Sequence, residues 1–420
     1  MRIAFLTVEF VTENNQLAGA ANFLARAVLA MHQLGHEPEV FTWSSEDGTT
    51  TWRGIPVHRV SWHRGIRHRI ANKLSFGRFD HPLLIVQMAR RMARRLGDRH
   101  RRRPFDAVHA SGSGCTAFAS TRMGLPTVVR FSGYQPECSR MLASRVTLAD
   151  RIIHRLEVAA AKRAGACYAP SRLVAELYRK NFGLEMDVIE PCFQLDVSES
   201  AFDPSIAATL PTPYCLYFGP LSYLKGVDIL AKSLRRVFGE HPGVTAVFVG
   251  PDRMDNGRKA SDRIRQTIGS EHLKRCCFVE PLPHAQLYPV VCRAACVAIP
   301  SRIDNLPNTC LEAMALGQVV VGTRGSSLEQ LIDDESSGFL VPREDPESLA
   351  GTILKALHLS PSARAGIGAR ARARIAQMAP ERSVPRLVEY QRRAIATALI
   401  RDPRHGNGRA IATATSHRTS

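Results

Sequence analysis

Short apolar runs alternate with segments of helical period along the N-terminal half of the chain. The run at residues 2–8, RIAFLTV, precedes a segment at 19–35 in which apolar side chains recur at helical spacing until Gly35. Later apolar runs lie at 37–43, 105–110, 125–131, 165–171 and 186–191. Strands that alternate with helices predict βαβ units, and therefore a parallel sheet with helices on both faces.

A polar stretch rich in Pro and Ser separates this series from a second one. We predict that residues 196–212 form an interdomain linker between domains at 1–195 and 213–380. The second series of apolar runs lies at 213–219, 244–250, 276–281, 295–301, 318–323 and 338–342. Two Arg- and Ala-rich helices are predicted from Pro346 to about Ile400, followed by a disordered tail at 401–420.

This arrangement predicts an α/β protein of two facing domains with a ligand cleft between them. The 420 residues and the hydrophobic content of 45% suit two domains with cores of their own. In open α/β sheets, ligands bind at the carboxyl ends of the strands. A cleft between two such sheets is a common site for a nucleotide and its co-substrate.

The cysteines and the hydropathy pattern give an expected compartment. Ten cysteines are scattered without a C-x-x-C pair, which favours buried thiols in a reducing compartment over a metal or disulfide framework. The N-terminus has no signal-peptide pattern, and no run approaches the ~20 apolar residues that cross a bilayer. We therefore expect a cytoplasmic protein.

The net charge of +18 is concentrated in one segment. Between Arg64 and Arg103 there are thirteen Arg and Lys residues, and the acidic residues there are Asp80 and Asp98. Within it, residues 82–103 place apolar side chains near helical spacing with arginine pairs on the other face. Such a basic amphipathic helix suits an anionic membrane surface. The alternatives are an apolar stripe packed on its own domain, with the arginines solvated, and nucleic acid, which no other motif supports.

Two carboxylates stand eight positions apart in the segment IPSRIDNLPNTCLEAMALG. Asp304 precedes a polar loop, and Glu312 lies inside the helix that Pro307 is suited to open. The free N–H groups at that helix end, including those of Asn308 and Thr309, favour anions and hydroxyl oxygens. Both acids could accept hydrogen bonds from the hydroxyls of one ligand, although an acid near a helix start is often only a cap.

Two further turns carry candidate ligand-binding residues. In YFGPLSYLKGVDIL, a strand ends at Gly219 and Lys225 precedes the next helix, so Lys225 could meet a diphosphate as a point charge. The spacing is not that of a P-loop. Gly19 opens the first helix of the chain at the same edge of its sheet. Each feature alone is also typical of an ordinary turn.

Together, these motifs resemble the retaining GT-B glycosyltransferases of family 4 over nearly the whole chain. The segment from Pro300 to Thr323 is similar to that family's E-x7-E signature, and the Lys225 turn to its G-R-L…K-G motif. The resemblance implies two facing Rossmann-like domains, with a helix at 381–400 that returns to the N-terminal domain. It also implies a sugar transferred from a nucleoside diphosphate to an acceptor hydroxyl, with no metal or other cofactor.

The resemblance also assigns roles to individual residues. Glu312 would bind the nucleotide ribose, and Lys225 would neutralise the departing diphosphate. The sugar would contact Asp304 as a second catalytic residue, together with the loop of Asn305, Leu306, Asn308 and Thr309. Gly219 and the loop of Gly19, Ala20 and Ala21 would complete the donor site, and His109 would lie on the acceptor side, unless it is a locally bonded strand-end histidine.

Two positions depart from the family pattern. Asp304 stands where Glu is usual, which shortens the side chain by one methylene and keeps the charge. Pro220 stands where the family has the arginine of G-R-L, which removes one of two cations from the diphosphate site. Arg130 and Arg302 are candidates to replace it.

The leading interpretation is a retaining glycosyltransferase of polysaccharide, lipopolysaccharide or other envelope-glycan synthesis, acting on a glycan or lipid-linked acceptor. The basic helix would place it on the inner face of the membrane as a peripheral protein. The alternative from another class is a sugar-nucleotide-binding protein with little or no activity, which the loss of the arginine at Pro220 motivates. A GT-B epimerase or phosphorylase is a third alternative.

Overall fold

The computed structural model describes residues 1–13, 19–62, 80–142, 146–255 and 257–401. Its strands are β1 (Arg2–Thr7), β2 (Glu37–Ser44), β3 (Gly48–Trp52), β4 (Ile55–Ser61), β5 (Ala107–Ser111), β6 (Thr127–Arg130), β7 (Cys167–Ala169), β8 (Asp187–Val188), β9 (Tyr214–Phe218), β10 (Thr245–Val249), β11 (Met254–Asp255), β12 (Arg258–Lys259), β13 (Cys276–Val279), β14 (Cys296–Ile299), β15 (Val320–Thr323) and β16 (Phe339–Val341).

The helices of the N-terminal half are α1 (Gly19–Gln33), α2 (Asp80–Arg102), α3 (Thr116–Ser120), α4 (Gln135–Met141), α5 (Leu148–Ala164) and α6 (Arg172–Phe182). Those of the C-terminal half are α7 (Ser205–Thr209), α8 (Val227–Glu240), α9 (Ala260–Ile268), α10 (Ser270–Leu273), α11 (His284–Arg293), α12 (Asn308–Ala315), α13 (Pro346–Leu357), α14 (Pro361–Ala376) and α15 (Pro380–Arg401). Short 3-10 turns lie at Thr121–Met123, Glu199–Ala201, Tyr223–Lys225 and Leu328–Gln330.

Two parallel sheets form the centres of the two halves. The first has the order β3-β4-β2-β1-β5-β6-β7-β8, and the second has the order β13-β10-β9-β14-β15-β16. The second order is that of a doubly wound dinucleotide-binding sheet, in which the direction of strand addition reverses between β9 and β14. The first sheet reverses in the same way at β1 and β5. The α/β GT-B prediction is confirmed.

The sequence pattern did not reveal the hairpin at the edge of the first sheet. β3 pairs antiparallel with β4, and the turn between them holds Arg53 and Gly54 at positive φ. β3 is the polar sequence GTTTW and is half-exposed, so it lacks the apolar run on which strand prediction depends. A second small hairpin, β11 with β12, lies apart from both sheets.

The central strands of the first sheet are buried on both faces. Along β1, Ile3 and Phe5 pack with α1 and α15, whereas Ala4 and Leu6 pack on the other face with α2. Successive strand residues point to opposite faces, so a strand covered on both sides needs a continuous apolar run. This explains why RIAFLTV shows no alternation of polar residues.

The apolar face of the basic helix packs inside its own domain. Met88, Met92 and Leu96 of α2 are buried in the core of the first sheet. On its flank, Arg99 forms an ion pair with Glu39 at 2.9 Å. Of the alternatives drawn from the sequence, the structure supports an apolar stripe that packs on its own domain, and this stripe is not available for a membrane surface. Residues 63–79, which carry five of the thirteen cations, lie outside the described residues.

The segment at 196–212 is not a free linker. It contains α7, and Ala207 and Leu210 pack in the core of the second domain beside Tyr288. Phe193, just before it, joins the same core. The Pro- and Ser-rich composition concealed these few apolar anchors. They attach the segment to the C-terminal domain.

Three helices, rather than the predicted two, follow Pro346. They are α13, α14 and α15, and the last packs Val384, Leu387 and Val388 against the N-terminal sheet and α1. The predicted tail lies outside the described residues from 402 onwards. Across the described part of the chain, no helix combines the length and apolar character needed to cross a membrane.

Candidate functional site

The carboxyl edges of the two sheets meet across a cleft. Ser132 follows β6 in the first domain, and its carbonyl oxygen accepts a hydrogen bond from the side-chain amide of Asn305, which follows β14 in the second. A second contact joins the domains where the backbone N–H of Arg172 donates to Gln330 at 2.9 Å. The reversal points of both sheets therefore open into the same space, where open α/β sheets bind ligands.

Lys225 and Asp304 form an ion pair at the reversal point of the second sheet. The Lys225 Nζ lies 2.6 Å from the Asp304 carboxylate, which also accepts hydrogen bonds from Ser301 Oγ and the Asn305 backbone N–H, both at 3.0 Å. Asp304 is thus held on three sides. Lys225 keeps 28% of its side chain exposed, so its charge remains accessible from the cleft.

A glycine lets the Lys225 turn approach β14 closely. Gly226 has φ of +69°, and a Cβ at this position would overlap the carbonyl oxygen of Pro300. Any other residue would push the turn away from the strand end. The sequence Lys225-Gly226 therefore places the lysine beside the loop that carries Asp304.

Helix α12 begins four residues after Asp304. Pro307 precedes the helix in an extended conformation and provides no side-chain cap, so the first N–H groups of the helix have no capping partner from it. Gly219 lies against the start of the helix, where a Cβ would be 3.2 Å from Thr309 Cγ2. The predicted loop and the predicted glycine are therefore adjacent.

Leu306 takes part through its backbone. It has φ of +49°, an unusual value for a residue with a side chain, and its N–H donates to Ser327 Oγ at 3.0 Å. Its side chain is buried in the apolar core of the second domain. The side chain therefore shapes the loop from beneath and does not line the cleft.

Glu312 is buried within a charged cluster that joins the domains. Its carboxylate is 3.7 Å from Arg26 of α1 and 3.7 Å from His284 of α11. Asp196 binds both of these cations, at 2.7 Å from Arg26 and 3.0 Å from His284. Arg26 also contacts Asn308 at 3.4 Å, so α1 reaches the start of α12.

Burial and the neighbouring charges set the protonation of this cluster. Burial raises the pKa of Glu312 to about 7, although His284 and Arg26 oppose the rise. The hydrogen bond to Asp196 raises the pKa of His284 above its usual value. Burial would raise the pKa of Asp196 as well, but hydrogen bonds from His284 and Arg26 hold it well below its usual range. Glu312 and His284 are therefore the two members of the cluster whose protonation can change near neutral pH.

Comparison with known sequences shows the family of the chain. The family described as Glycosyl transferase 4-like domain matches residues 18–191, and the family Glycosyl transferases group 1 matches residues 212–358, together well over half of the chain. The chain belongs to the group 1 glycosyltransferases. The predicted family is confirmed, and the motif of Asp304 and Glu312 lies inside the second match.

Individual relatives of this glycosyltransferase match it at modest identity. The D-inositol 3-phosphate glycosyltransferase of Saccharomonospora viridis is 29% identical over 43% of this chain and 42% of the relative. That of Corynebacterium jeikeium is 30% identical over 33% of this chain and 34% of the relative, so the chain spans less than half of either protein. The enzyme of the same name from an Arthrobacter species is 26% identical over 87% of this chain and 89% of the relative.

Solved structures share the fold. Sucrose-phosphate synthase from Thermosynechococcus elongatus superposes with a TM-score of 0.74 at 18% identity, over 94% of this chain and all of that one. Anabaena HepE, solved with UDP and glucose, has a TM-score of 0.69 at 19% identity, over 93% of this chain and 98% of that one. These likenesses support the GT-B fold of the glycosyltransferase.

The two arginines proposed to replace the one missing at Pro220 differ in their charge environment. Arg302 binds the Asp228 carboxylate at 2.6 and 2.8 Å and also forms an ion pair with Glu344. Two carboxylates therefore already balance its charge. Arg130 lies in the first domain, stacked on Phe23 at 3.6 Å, and forms no ion pair with any described carboxylate.

His109 is buried beside this arginine. Its Nε2 is 3.0 Å from the Tyr168 hydroxyl, its ring packs between Phe5 and Tyr168, and its Nδ1 has no hydrogen-bond partner among the described residues. Burial and the neighbouring charge of Arg130 lower its pKa to about 3, so the imidazole is neutral. Ala20, one residue into α1 from the exposed Gly19, lines the same small cavity as His109.

Sequence reasoning missed Arg26, Asp196 and His284. Arg26 reads as an ordinary polar position of α1, and Asp196 lies in the segment interpreted as a linker. These residues are separated by 88 positions or more and meet only after both domains have formed. The apolar anchors around Asp196 were the one available signal that it belongs to a packed segment. Among the described residues, no three His, Cys, Asp or Glu side chains are placed to hold a metal ion.

Proposed function

We propose that this glycosyltransferase moves a sugar from a nucleoside diphosphate to an acceptor hydroxyl with retention of configuration. The observation that carries the proposal is the arrangement at the reversal point of the second sheet. There, an accessible lysine, a fixed aspartate and the start of α12 stand together, with a buried glutamate one turn further along the helix. The combination suits a ligand that carries a diphosphate and several hydroxyls.

Each donor group has a matching residue in this proposal. The ribose hydroxyls donate to Glu312, and the sugar hydroxyls contact Asp304, Asn305 and the first amides of α12. The diphosphate forms an ion pair with Lys225. The Lys225 ammonium group then divides its hydrogen bonds between Asp304 and the phosphate oxygens. Gly219 and the start of α1 leave room for the backbone to approach the phosphates.

The reaction needs little acid–base chemistry from the protein. The bond between the anomeric carbon and the phosphate oxygen breaks, and the acceptor oxygen bonds to the same face of the sugar. The acceptor proton passes to the leaving phosphate oxygen, so no side chain is required as the base. Lys225 stabilises the negative charge that develops on the diphosphate, and such charge stabilisation is commonly the largest single contribution to catalysis.

We take the acceptor to be a polyhydroxylated molecule, because the names of the relatives refer to an inositol phosphate and to glycogen. Those relatives are named D-inositol 3-phosphate glycosyltransferases and glycogen synthases. A lipid-linked or polymeric envelope glycan remains part of the proposal because α2 exposes Arg90, Arg94 and Arg101. These arginines would contact an anionic membrane surface on the cytoplasmic side through charge alone, since the apolar face of the helix is buried.

A nucleotide-sugar screen tests the proposal. UDP-, GDP- and ADP-sugars are added to the wild type and to Glu312→Gln, and thermal unfolding is followed together with nucleoside diphosphate release. A donor that binds only the folded state raises the unfolding temperature. We expect one nucleotide class to stabilise the wild type and to stabilise Glu312→Gln less.

The same screen separates the alternatives. Stabilisation without release of nucleoside diphosphate, in the presence of an acceptor pool, would favour a binding protein without activity. No stabilisation by any nucleotide sugar would contradict the proposed function.

A further inference from the structure

A small cavity at the carboxyl edge of the first sheet is lined by buried polar groups. It lies between the end of β5, the end of β6 and the start of α1, and its volume of about 30 Å³ holds about one water. Its polar lining consists of Thr7, His109, Ser111, Arg130 and Ser132. Two of these side chains have nitrogen atoms that no described protein atom satisfies.

Arg130 is the more unusual of the two. Its guanidinium stacks on Phe23 and donates a hydrogen bond to Ser132 Oγ, while its Nε is buried and has no partner among the described residues. Buried arginines elsewhere in the chain have carboxylates, as Arg2 has Glu39 at 2.6 Å. A buried charge without a counter-charge costs free energy of folding, so such groups are usually paired. An anionic oxygen bound beside Arg130 would supply the missing counter-charge.

His109 adds a second, neutral group to the same cavity. The contact with Tyr168 uses Nε2 and fixes the ring, which leaves Nδ1 buried and without a partner in the part of the chain that the structure describes. A neutral imidazole nitrogen can form a hydrogen bond with a ligand oxygen without adding charge. Both residues line a cavity with room for about one oxygen atom.

This cavity is connected to the reaction centre by a chain of hydrogen bonds. The carbonyl of Ser132 accepts from Asn305 Nδ2, and the N–H of Asn305 donates to Asp304, the partner of Lys225. The Asn305 Oδ1 is itself buried without a partner. The cavity therefore lies at the edge of the proposed donor site and not on a remote surface.

We infer that this cavity is an anion subsite, in which Arg130 and His109 bind a phosphate or carboxylate oxygen of a substrate. The inference rests on the proposed function, because it takes the substrate to be the nucleotide sugar or its acceptor. The anion has two possible sources. It is either the departing diphosphate, which lacks its second cation at Pro220, or a charged group on the acceptor.

Calorimetry with Arg130→Met tests the subsite. UDP, GDP and ADP are titrated first, and inositol 3-phosphate and glucose 6-phosphate are then compared with inositol and glucose in the presence of the nucleotide that binds. Arg265→Met is the matched control, because Arg265 also stacks on an aromatic ring, Phe278 at 4.1 Å, but is exposed and outside the cleft. Arg130→Lys keeps the charge, and thermal unfolding of every variant is recorded.

We expect Arg130→Met to weaken the binding of one anion by about tenfold or more, because a hydrogen bond to a charged group is lost. Arg265→Met should leave all affinities unchanged, and Arg130→Lys should recover part of the loss. Weaker nucleoside diphosphate binding identifies the donor as the source. Unchanged nucleotide binding with a lost preference for the phosphorylated sugar identifies the acceptor.

Two results would overturn the inference and are distinguishable. If the wild type binds a nucleoside diphosphate and Arg130→Met binds every anion equally well but unfolds at a lower temperature, Arg130 only packs on Phe23 and the proposed function survives. If the wild type binds none of these anions, the subsite and the proposed function both fail.

Discussion

The raised pKa of Glu312 predicts that nucleotide binding depends on pH. The raised pKa of about 7 means that its carboxyl is protonated below this pH and ionised above it. An ionised carboxylate accepts stronger hydrogen bonds from ribose hydroxyls than a carboxylic acid does. We predict that nucleoside diphosphate affinity, measured by calorimetry, rises between pH 6 and pH 8. Glu312→Gln should weaken this dependence and leave only the part due to His284 and to the terminal phosphate of the nucleotide, whose second pKa is about 6.

The groups around Glu312 provide the control for that prediction. Arg26, Asp196, His284 and Tyr288 face the carboxyl, and the charge of His284 lowers its pKa. In His284→Asn the midpoint of the affinity change should therefore move to higher pH. A midpoint that stays in place in this variant, or an affinity in the wild type that falls with pH, would show that another group controls binding.

In the proposed reaction, Lys225 stabilises the leaving diphosphate more than the bound donor. Its charge is already balanced by Asp304 at 2.6 Å before the reaction, and it gains most when the diphosphate acquires negative charge. We predict that Lys225→Ala lowers kcat by roughly 10²–10³-fold and raises the donor KM much less. Lys232→Ala, an exposed lysine of α8, is the control. A large KM effect with kcat preserved would make Lys225 a binding residue only.

At the scale of elements, α2 is a structural helix of the N-terminal domain. Met92 is 1% exposed and packs among the residues that cover β1 and β5. We predict that Met92→Ala lowers the free energy of unfolding by about 2–5 kcal/mol, since it leaves a cavity. Arg94→Gln on the exposed side should change it by less than ~0.5 kcal/mol. Equal effects in chemical denaturation would contradict the buried orientation of the helix.

The exposed side of α2 gives a separate prediction about membranes. Replacing Arg90, Arg94 and Arg101 by Gln removes three charges, each worth about 1 kcal/mol near an anionic surface. We predict that the triple variant sediments less with liposomes that contain phosphatidylserine and that added salt weakens the wild type in the same way. If the wild type sediments equally with liposomes that contain or lack anionic lipid, the proposed membrane contact is contradicted.

The elements that sequence reasoning predicted are those that local patterns encode. The acids at Asp304 and Glu312, the Lys225 turn and the second series of six strands are each contained in a short stretch of chain. The hairpin of β3 and β4 escaped because its polar edge strand carries no apolar run. The sequence does not decide what the apolar side of α2 contacts, because periodicity shows that a face is apolar but not what covers it.

For the whole molecule, the parts that were missed lie between the domains. Arg26, Asp196 and His284 converge on Glu312 from both halves, and Arg130 approaches the α12 loop through Ser132 and Asn305. Contacts of this kind depend on how two folded domains face each other, which no local pattern specifies. They are mostly polar, and polar interdomain contacts allow domains to open and close around a ligand.

The central claim is that this cleft transfers a sugar from a nucleotide with retention. The most direct test follows the reaction by NMR, with the donor found in the screen and a panel of sugar, inositol and phosphorylated acceptors. We predict that nucleoside diphosphate is released in step with a product whose anomeric configuration is that of the donor. A bound donor that is never consumed, or a product of inverted configuration, would contradict the account.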